Sequence, residues 1–200
     1  METLPSRAVS ALLQAQRPEG GWGYSDGVEW TEPTALALLA LEGQPGAEDA
    51  RGRASPRLRS FQRADGGWPP RPAVERSTWV TALAVLALGE SLAGPALVSA
   101  VDWLLRSSGE ESGLLHRLRL ALLGAGDDRN QGEGWPWYPQ TAAWVAPTAL
   151  TVLALEKVQA REPSAGIGRR LNSARRYLWS RMCSDGGWNH GSTRALGYEA

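Results

Sequence analysis

Three stretches of the chain are apolar on every side. TALALLALE begins at Thr34, TALAVLALGE at Thr81 and TALTVLALEK at Thr148. A helix with no polar face must be walled in by others, so each predicts an inner helix. Half-polar, arginine-decorated stretches stand between them: SRAVSALLQAQ, SPRLRSFQ and SARRYLWSRM. These predict outer helices, with Leu12, Leu58 and Leu178 as a shared inward contact. Val and Ile are scattered and Ala and Leu dominate, which favours helix and predicts no convincing strand. The expected fold class is all-α.

Outer and inner helices are joined by one phrase written three times: QRPEGGWGY at 16–24, QRADGGWPP at 62–70 and MCSDGGWNH at 182–190. Trp22 and Trp68 are 46 residues apart. A further 46 lands on Leu114 inside SGEESGL, where Ser108, Glu111, Gly113 and Leu114 align with Gln62, Asp65, Gly67 and Trp68 as an eroded copy. Another partial copy, GEGW, ends at Trp135, and Trp188 lies 74 beyond Leu114. The broken spacing leaves 111–124 open between an inner and an outer position. Inner-helix threonines follow Trp22, Trp68 and Trp135 by 12, 13 and 13 residues. Within the phrase, Gln can bond carbonyls left free at a helix end. Gly-Gly turns the chain, the acidic residue can accept backbone N–H bonds, and Trp covers the junction with its N–H on an acceptor. On this reading the phrase is a staple between helices.

Q-x-x-[DE]-G-G-W at 16–22 and 62–68, with Met182 replacing Gln at 182–188, resembles the QW motif of the terpenoid cyclase and protein prenyltransferase superfamily. Residues 30–42 and 141–156 resemble inner helices of squalene-cyclase-like repeat proteins. The resemblance implies an α-α toroid, with inner helices around an apolar cavity and outer helices as a sheath. It implies one toroid domain over 1–200 that binds or cyclises an isoprenoid-like apolar substrate. After Trp188 only NHGSTRALGYEA follows, so the last repeat lacks its inner helix. About eight helices can be counted against roughly twelve in a closed toroid, and an uncapped solenoid exposes an apolar face. The expectation is a fragment, a truncated product, or half of an assembly closed by a partner subunit.

Composition narrows the partners. Lys plus Arg and Asp plus Glu are both 21, so nucleic acid and acidic membrane surfaces are poor partners for a neutral chain. Arg51, Arg53, Arg57 and Arg59 read as a solvated helix face. The single cysteine, Cys183, excludes a disulfide framework, and no apolar run approaches a membrane span. With no signal-type start, a cytoplasmic location is expected. Ten Trp against one Phe and four Tyr point to a repeated device or an aromatic surface rather than generic bulk.

Candidate chemistry begins at Trp30-Thr31-Glu32-Pro33-Thr34-Ala35, which lies where the related cyclases carry D-x-D-D-T-A. The resemblance sets Glu32 as the catalytic general acid, although Trp30 and Pro33 replace the flanking aspartates. A carboxylic acid in an apolar cavity keeps its proton to higher pH. Glu32 equally suits the first turn of a helix beside Pro33, and its counterpart in the later repeat is Ala146. Trp30, Trp79, Trp144, Trp137 and Tyr138 are the candidate substrate-binding residues. They would form an aromatic rim able to stabilise a cation or line an apolar pocket, or would pack between inner helices. Cys183, His116 and His190 lack a zinc pattern, and Asp127-Asp128-Arg129-Asn130-Gln131 lacks the third carboxylate of a magnesium-diphosphate motif. No metal or cofactor is expected. A non-catalytic lipid- or protein-binding scaffold is the alternative. A glycan-active site using Glu29 and Glu32 is a third reading.

Overall fold

Each half-polar stretch forms a helix ended by its Gly-Trp loop, and each apolar stretch forms the helix after the loop. The computed structural model describes residues 4–110 and 132–188. The chain divides into two compact units, Met1–Ala100 and Val101–Ala200.

The first unit contains α1 (Leu4–Ala15), α2 (Thr31–Ala40), α3 (Glu48–Arg59), α4 (Val80–Leu88), a short 3₁₀ turn (Gly89–Ser91) and the start of α5 (Gly94–Arg106). Helices α2, α3 and α4 pack on one another. The polar helix α3 complements its own dipole, with Glu48 and Asp49 in the first turn and Arg57 and Arg59 in the last. It buries only Ala50, Ala54 and Leu58. Val80 to Val85 and Leu88 of α4 are all buried, as expected for an inner helix. α2 is inner on one side only: Ala35, Ala37 and Leu38 are buried, while Leu36 is 47% exposed.

The second unit holds the end of α5, a pair of two-residue strands, α6 (Val145–Arg161) and α7 (Ala165–Ser180). β1 (Trp135–Pro136) and β2 (Ala143–Trp144) are antiparallel, with Trp135 opposite Trp144 and Pro136 opposite Ala143. This ladder corrects the expectation of no strand. The fold is mostly helical with one small sheet, because Trp135 is held to the entry of α6 by backbone bonds that also occur, as single bonds, in the earlier loops. There Trp30 N donates to the Trp22 carbonyl and Thr78 N to that of Trp68, each at 2.9 Å. α6 packs on α7 and on both strands. It buries Val152, Ala154, Leu155 and Val158 and leaves Leu153 52% exposed.

Candidate functional site

The repeated phrase is a staple with three arms. The first arm is the indole N–H. Trp22, Trp68 and Trp188 each donate to the carbonyl of the residue ten positions earlier, Leu12, Leu58 and Leu178, at 2.8 Å. The shared leucines therefore matter first for their carbonyls, which lie in the last turn of each outer helix, where the regular helical bonding runs out. Leu58 is buried, whereas Leu12 and Leu178 are half-buried.

The second arm is the inner-helix threonine. Thr34, Thr81 and Thr148 accept the backbone N–H of Trp22, Trp68 and Trp135 at 2.9, 2.8 and 2.8 Å. All three threonines are buried. Their 12–13-residue spacing was visible in the sequence, but their role as a clamp on the Trp backbone was not.

The third arm is the glutamine. Gln16 Nε2 donates to the carbonyls of Gly20 and Ala50, both at 2.8 Å. Gln62 Nε2 donates to Gly66 and Ala96 at 3.0 and 2.9 Å. Each thus ties its own loop to the next outer helix. The glycine after the acidic position lies close to that helix: a Cβ on Gly66 would lie 2.1 Å from the Ser99 carbonyl, and its φ of +93° suits only glycine.

Asp65 and Asp185 accept the N–H of Gly67 and Gly187 at 3.0 Å, as the turn chemistry predicts. In the first loop that acceptor is Glu29, whose Oε1 takes Gly21 N at 2.7 Å while Oε2 pairs with Arg57. Both oxygens of the buried Glu29 are engaged structurally, which removes it from a pair of glycan-directed carboxylates.

The third loop corrects the proposed alignment. Gly109 N donates to Gly134 O as Arg63 N does to Gly67 O, and Trp135 Nε1 donates to Leu104 O. Gly134 and Trp135, rather than Gly113 and Leu114, hold the Gly67 and Trp68 places. Residues 111–131, with Glu111, Leu114, His116, the 111–124 stretch and the Asp127 segment, lie outside the described residues, as does His190. Ser108 is too short to act as the glutamine. Arg170 of α7 does so from the opposite side, donating to Glu133, Ser107 and Gly134 carbonyls at 2.6, 3.1 and 3.2 Å. Its guanidinium also lies 3.7 Å from the Trp135 ring centroid. Burial pulls the Arg170 pKa down to about 10, with the nearby Glu133 charge opposing, so the group stays cationic at neutral pH.

The candidate acid and aromatic residues fall in both units. Glu32 is half-buried in the first turn of α2 and accepts the Tyr24 hydroxyl at 2.8 Å. Burial, then that bond and the Glu32 charge, push the Tyr24 pKa up to about 12. Trp30 is half-buried, donates its indole N–H to Asp26 Oδ2 at 2.9 Å and meets Tyr24 edge-on at 5.3 Å. Arg71 lies 5.4 Å from its ring centroid. The Val28 N–H and then the Trp30 N–H hold the Asp26 carboxyl below its ordinary value. Trp79 is half-buried at the head of α4. In the second unit Trp137 and Trp144 are half-buried and Tyr138 is exposed, all in or beside the strand pair. Sequence reasoning missed Tyr24, Asp26 and Arg71. Their only signal was proximity to Trp30, or a place just beyond the next Trp loop.

Cys183 is free and buried within the last loop. Among the described residues no group of three His, Cys, Asp or Glu is gathered as a metal would need. No helix among them is long and apolar enough to cross a membrane.

These features define a mostly helical repeat protein whose unit is outer helix, Trp staple and inner helix. No protein-family model matches the chain. It is 55% identical over 47 residues to an uncharacterized protein of Bradyrhizobium diazoefficiens, a match covering 24% of this chain and 9% of that protein. It is 51% identical over 47 residues to an uncharacterized protein of Sinorhizobium fredii, with the same coverage. The chain matches about a tenth of the length of these curated relatives. The matched length is that of one repeat, set beside the 46-residue step from Trp22 to Trp68.

Proposed function

We propose that this chain belongs to a squalene-cyclase- or prenyltransferase-like repeat protein of α-α toroid type that binds an isoprenoid-like apolar ligand on its inner helices. One observation carries the reading. The staples fix one side of each inner helix, and on two of the three a large apolar side chain is left uncovered, Leu36 on α2 and Leu153 on α6. Along α6, Ala146, Ala149, Leu150 and Leu153 form one partly or wholly exposed apolar stripe. Such a surface suits a hydrocarbon ligand better than a polar one. A cytoplasmic location belongs to the same proposal.

A second reading, a non-catalytic lipid- or protein-binding scaffold, has its own support. The Glu32 carboxylate is engaged with Tyr24, and the Trp30 ring already carries the Arg71 guanidinium. If the protein is a cyclase, Glu32 donates the proton and Trp30, Trp79, Trp144, Trp137 and Tyr138 line the path of the cation. The test is a thermal melt with farnesol, geranylgeraniol and squalene, followed by product analysis. A ligand-dependent rise in Tm supports ligand binding. Turnover lost in Glu32→Gln with the Tm rise retained selects cyclisation. A Tm rise without turnover selects the scaffold, and no rise with any of the three ends the isoprenoid reading.

A further inference from the structure

The segment after Trp68 is pinned to the entry of α2. The N–H and hydroxyl of the buried Thr31 donate to the Pro70 and Pro69 carbonyls at 2.9 and 2.6 Å. The next residue is Arg71, whose guanidinium lies 5.4 Å from the Trp30 ring centroid. Two rings and two carboxylates are bonded to one another at this place. Tyr24, 50% exposed, meets the Trp30 ring at 71°, and Arg17 holds the Tyr24 carbonyl at 3.1 Å. Asp26 takes the Val28 N–H on Oδ1 at 3.1 Å and the Trp30 indole N–H on Oδ2 at 2.9 Å. Glu32 Oε2 takes the Tyr24 hydroxyl at 2.8 Å. Much of the carboxylates' hydrogen bonding is thus spent inside the cluster. What they present beside the rings is chiefly negative charge, and Arg71 acts on Asp26 through charge.

We infer that Tyr24, Asp26, Trp30 and Glu32 form a binding site for a trimethylammonium group, and that Arg71 takes that group's place in this structure. Aromatic faces with carboxylates beside them attract a cation whose charge is spread over methyl groups. Such a cation has no N–H to donate, so oxygens already engaged within the cluster satisfy it. A primary ammonium would leave some of its donors unpaired there. The arginine on Trp30 shows that the ring and Asp26 already hold a cation. Its loop is pinned at Thr31 through backbone carbonyls, so the Arg71 side chain can swing off the ring while the loop stays seated. The inference is independent of the isoprenoid proposal: it uses Glu32 as a carboxylate, whereas a cyclase uses it as a proton donor.

The test follows the Trp30 indole N–H resonance of the whole chain as choline is added. Dimethylbutanol, the uncharged carbon isostere of choline, and sodium chloride at matched ionic strength are the controls. Choline should move the resonance saturably in the millimolar range, and neither control should. Co-sedimentation with dioleoylphosphatidylcholine vesicles is run beside it. A response to choline assigns a soluble ligand, and a response confined to the vesicles assigns a lipid headgroup; either supports the site. Glu32→Gln should weaken the response several-fold. Arg71→Gln should strengthen it several-fold, because the internal competitor is gone. Choline no more effective than its isostere, together with no binding to the vesicles, overturns the inference. Binding that Arg71→Gln leaves unchanged or weakens overturns it as well, and makes the Arg71 contact a joint between loops.

Discussion

The loops Gln62–Trp68 and Met182–Trp188 share three bonds inside themselves. In each, the second residue's N–H reaches the second glycine's carbonyl, the first glycine's N–H returns to that residue, and the aspartate caps the second glycine. Both indoles reach a leucine carbonyl at 2.8 Å. Yet Trp68 is 0% exposed and Trp188 is 43% exposed. The difference lies in what surrounds them. Thr81 takes the Trp68 N–H, and α5 offers the Ala96 carbonyl to Gln62. The Met182 side chain has no donor to offer. The shape of the loop is therefore local and its burial is tertiary.

Truncating the two tryptophans should separate these contributions most sharply. Trp68→Ala should cost about 3–5 kcal/mol in a denaturant titration, from lost burial and the cavity left behind. Trp188→Ala should cost no more than about 1 kcal/mol, because its ring is half in water already. Equal losses would mean that the last loop is buried in solution.

Arg170 comes next. Arg170→Ala leaves the Ser107, Glu133 and Gly134 carbonyls without their charged donor, at a cost of about 3 kcal/mol. Lysine should rescue little, since a point charge cannot fork across three acceptors. Ser108→Gln in the Arg170→Ala background should recover part of the loss, because it restores the donor that the first two loops use. No recovery would break the equivalence of Arg170 with Gln16 and Gln62.

Thr81→Val keeps shape but orphans the buried Trp68 N–H, which costs about 1–3 kcal/mol. Thr81→Ser should retain most of the stability by the same titration.

The smallest effects belong to the exposed groups beside Trp30. Tyr24 titrates higher folded than unfolded, so its contribution is present below pH 10 and lost as pH rises through about 12. Tyrosinate absorbance should show that late step, and Glu32→Gln should move it down. Asp26 has the opposite sign: its contribution is present above its ordinary value of 3.8 and lost as pH falls through the lower folded value. A carboxyl NMR titration should place Asp26 below 3.8, and weakening the Trp30 bond should raise it.

The alternation of half-polar and apolar stretches, the Gly-Trp loops and the Thr spacing were legible because helix periodicity, glycine turns and repeat length are properties of short segments. The third staple was legible in part. GEGW and Thr148 were visible, but the donor that replaces glutamine was not, because Arg170 lies 63 residues from Ser107, whose carbonyl it reaches only through folding. Glu29 shows the same limit. Beside Glu32 in sequence it reads as a candidate carboxylate, whereas in space it does the work of a loop aspartate and pairs with Arg57.

What the sequence determined by itself was the unit: a helix, a Trp staple and a second helix, since each is held first by bonds between residues about ten to thirteen positions apart. What only the tertiary structure decided was which copy of that unit is closed. A buried tryptophan and an exposed one share the same local bonds. Only the helix packed alongside provides the carbonyls, the apolar cover and, where glutamine is missing, the arginine.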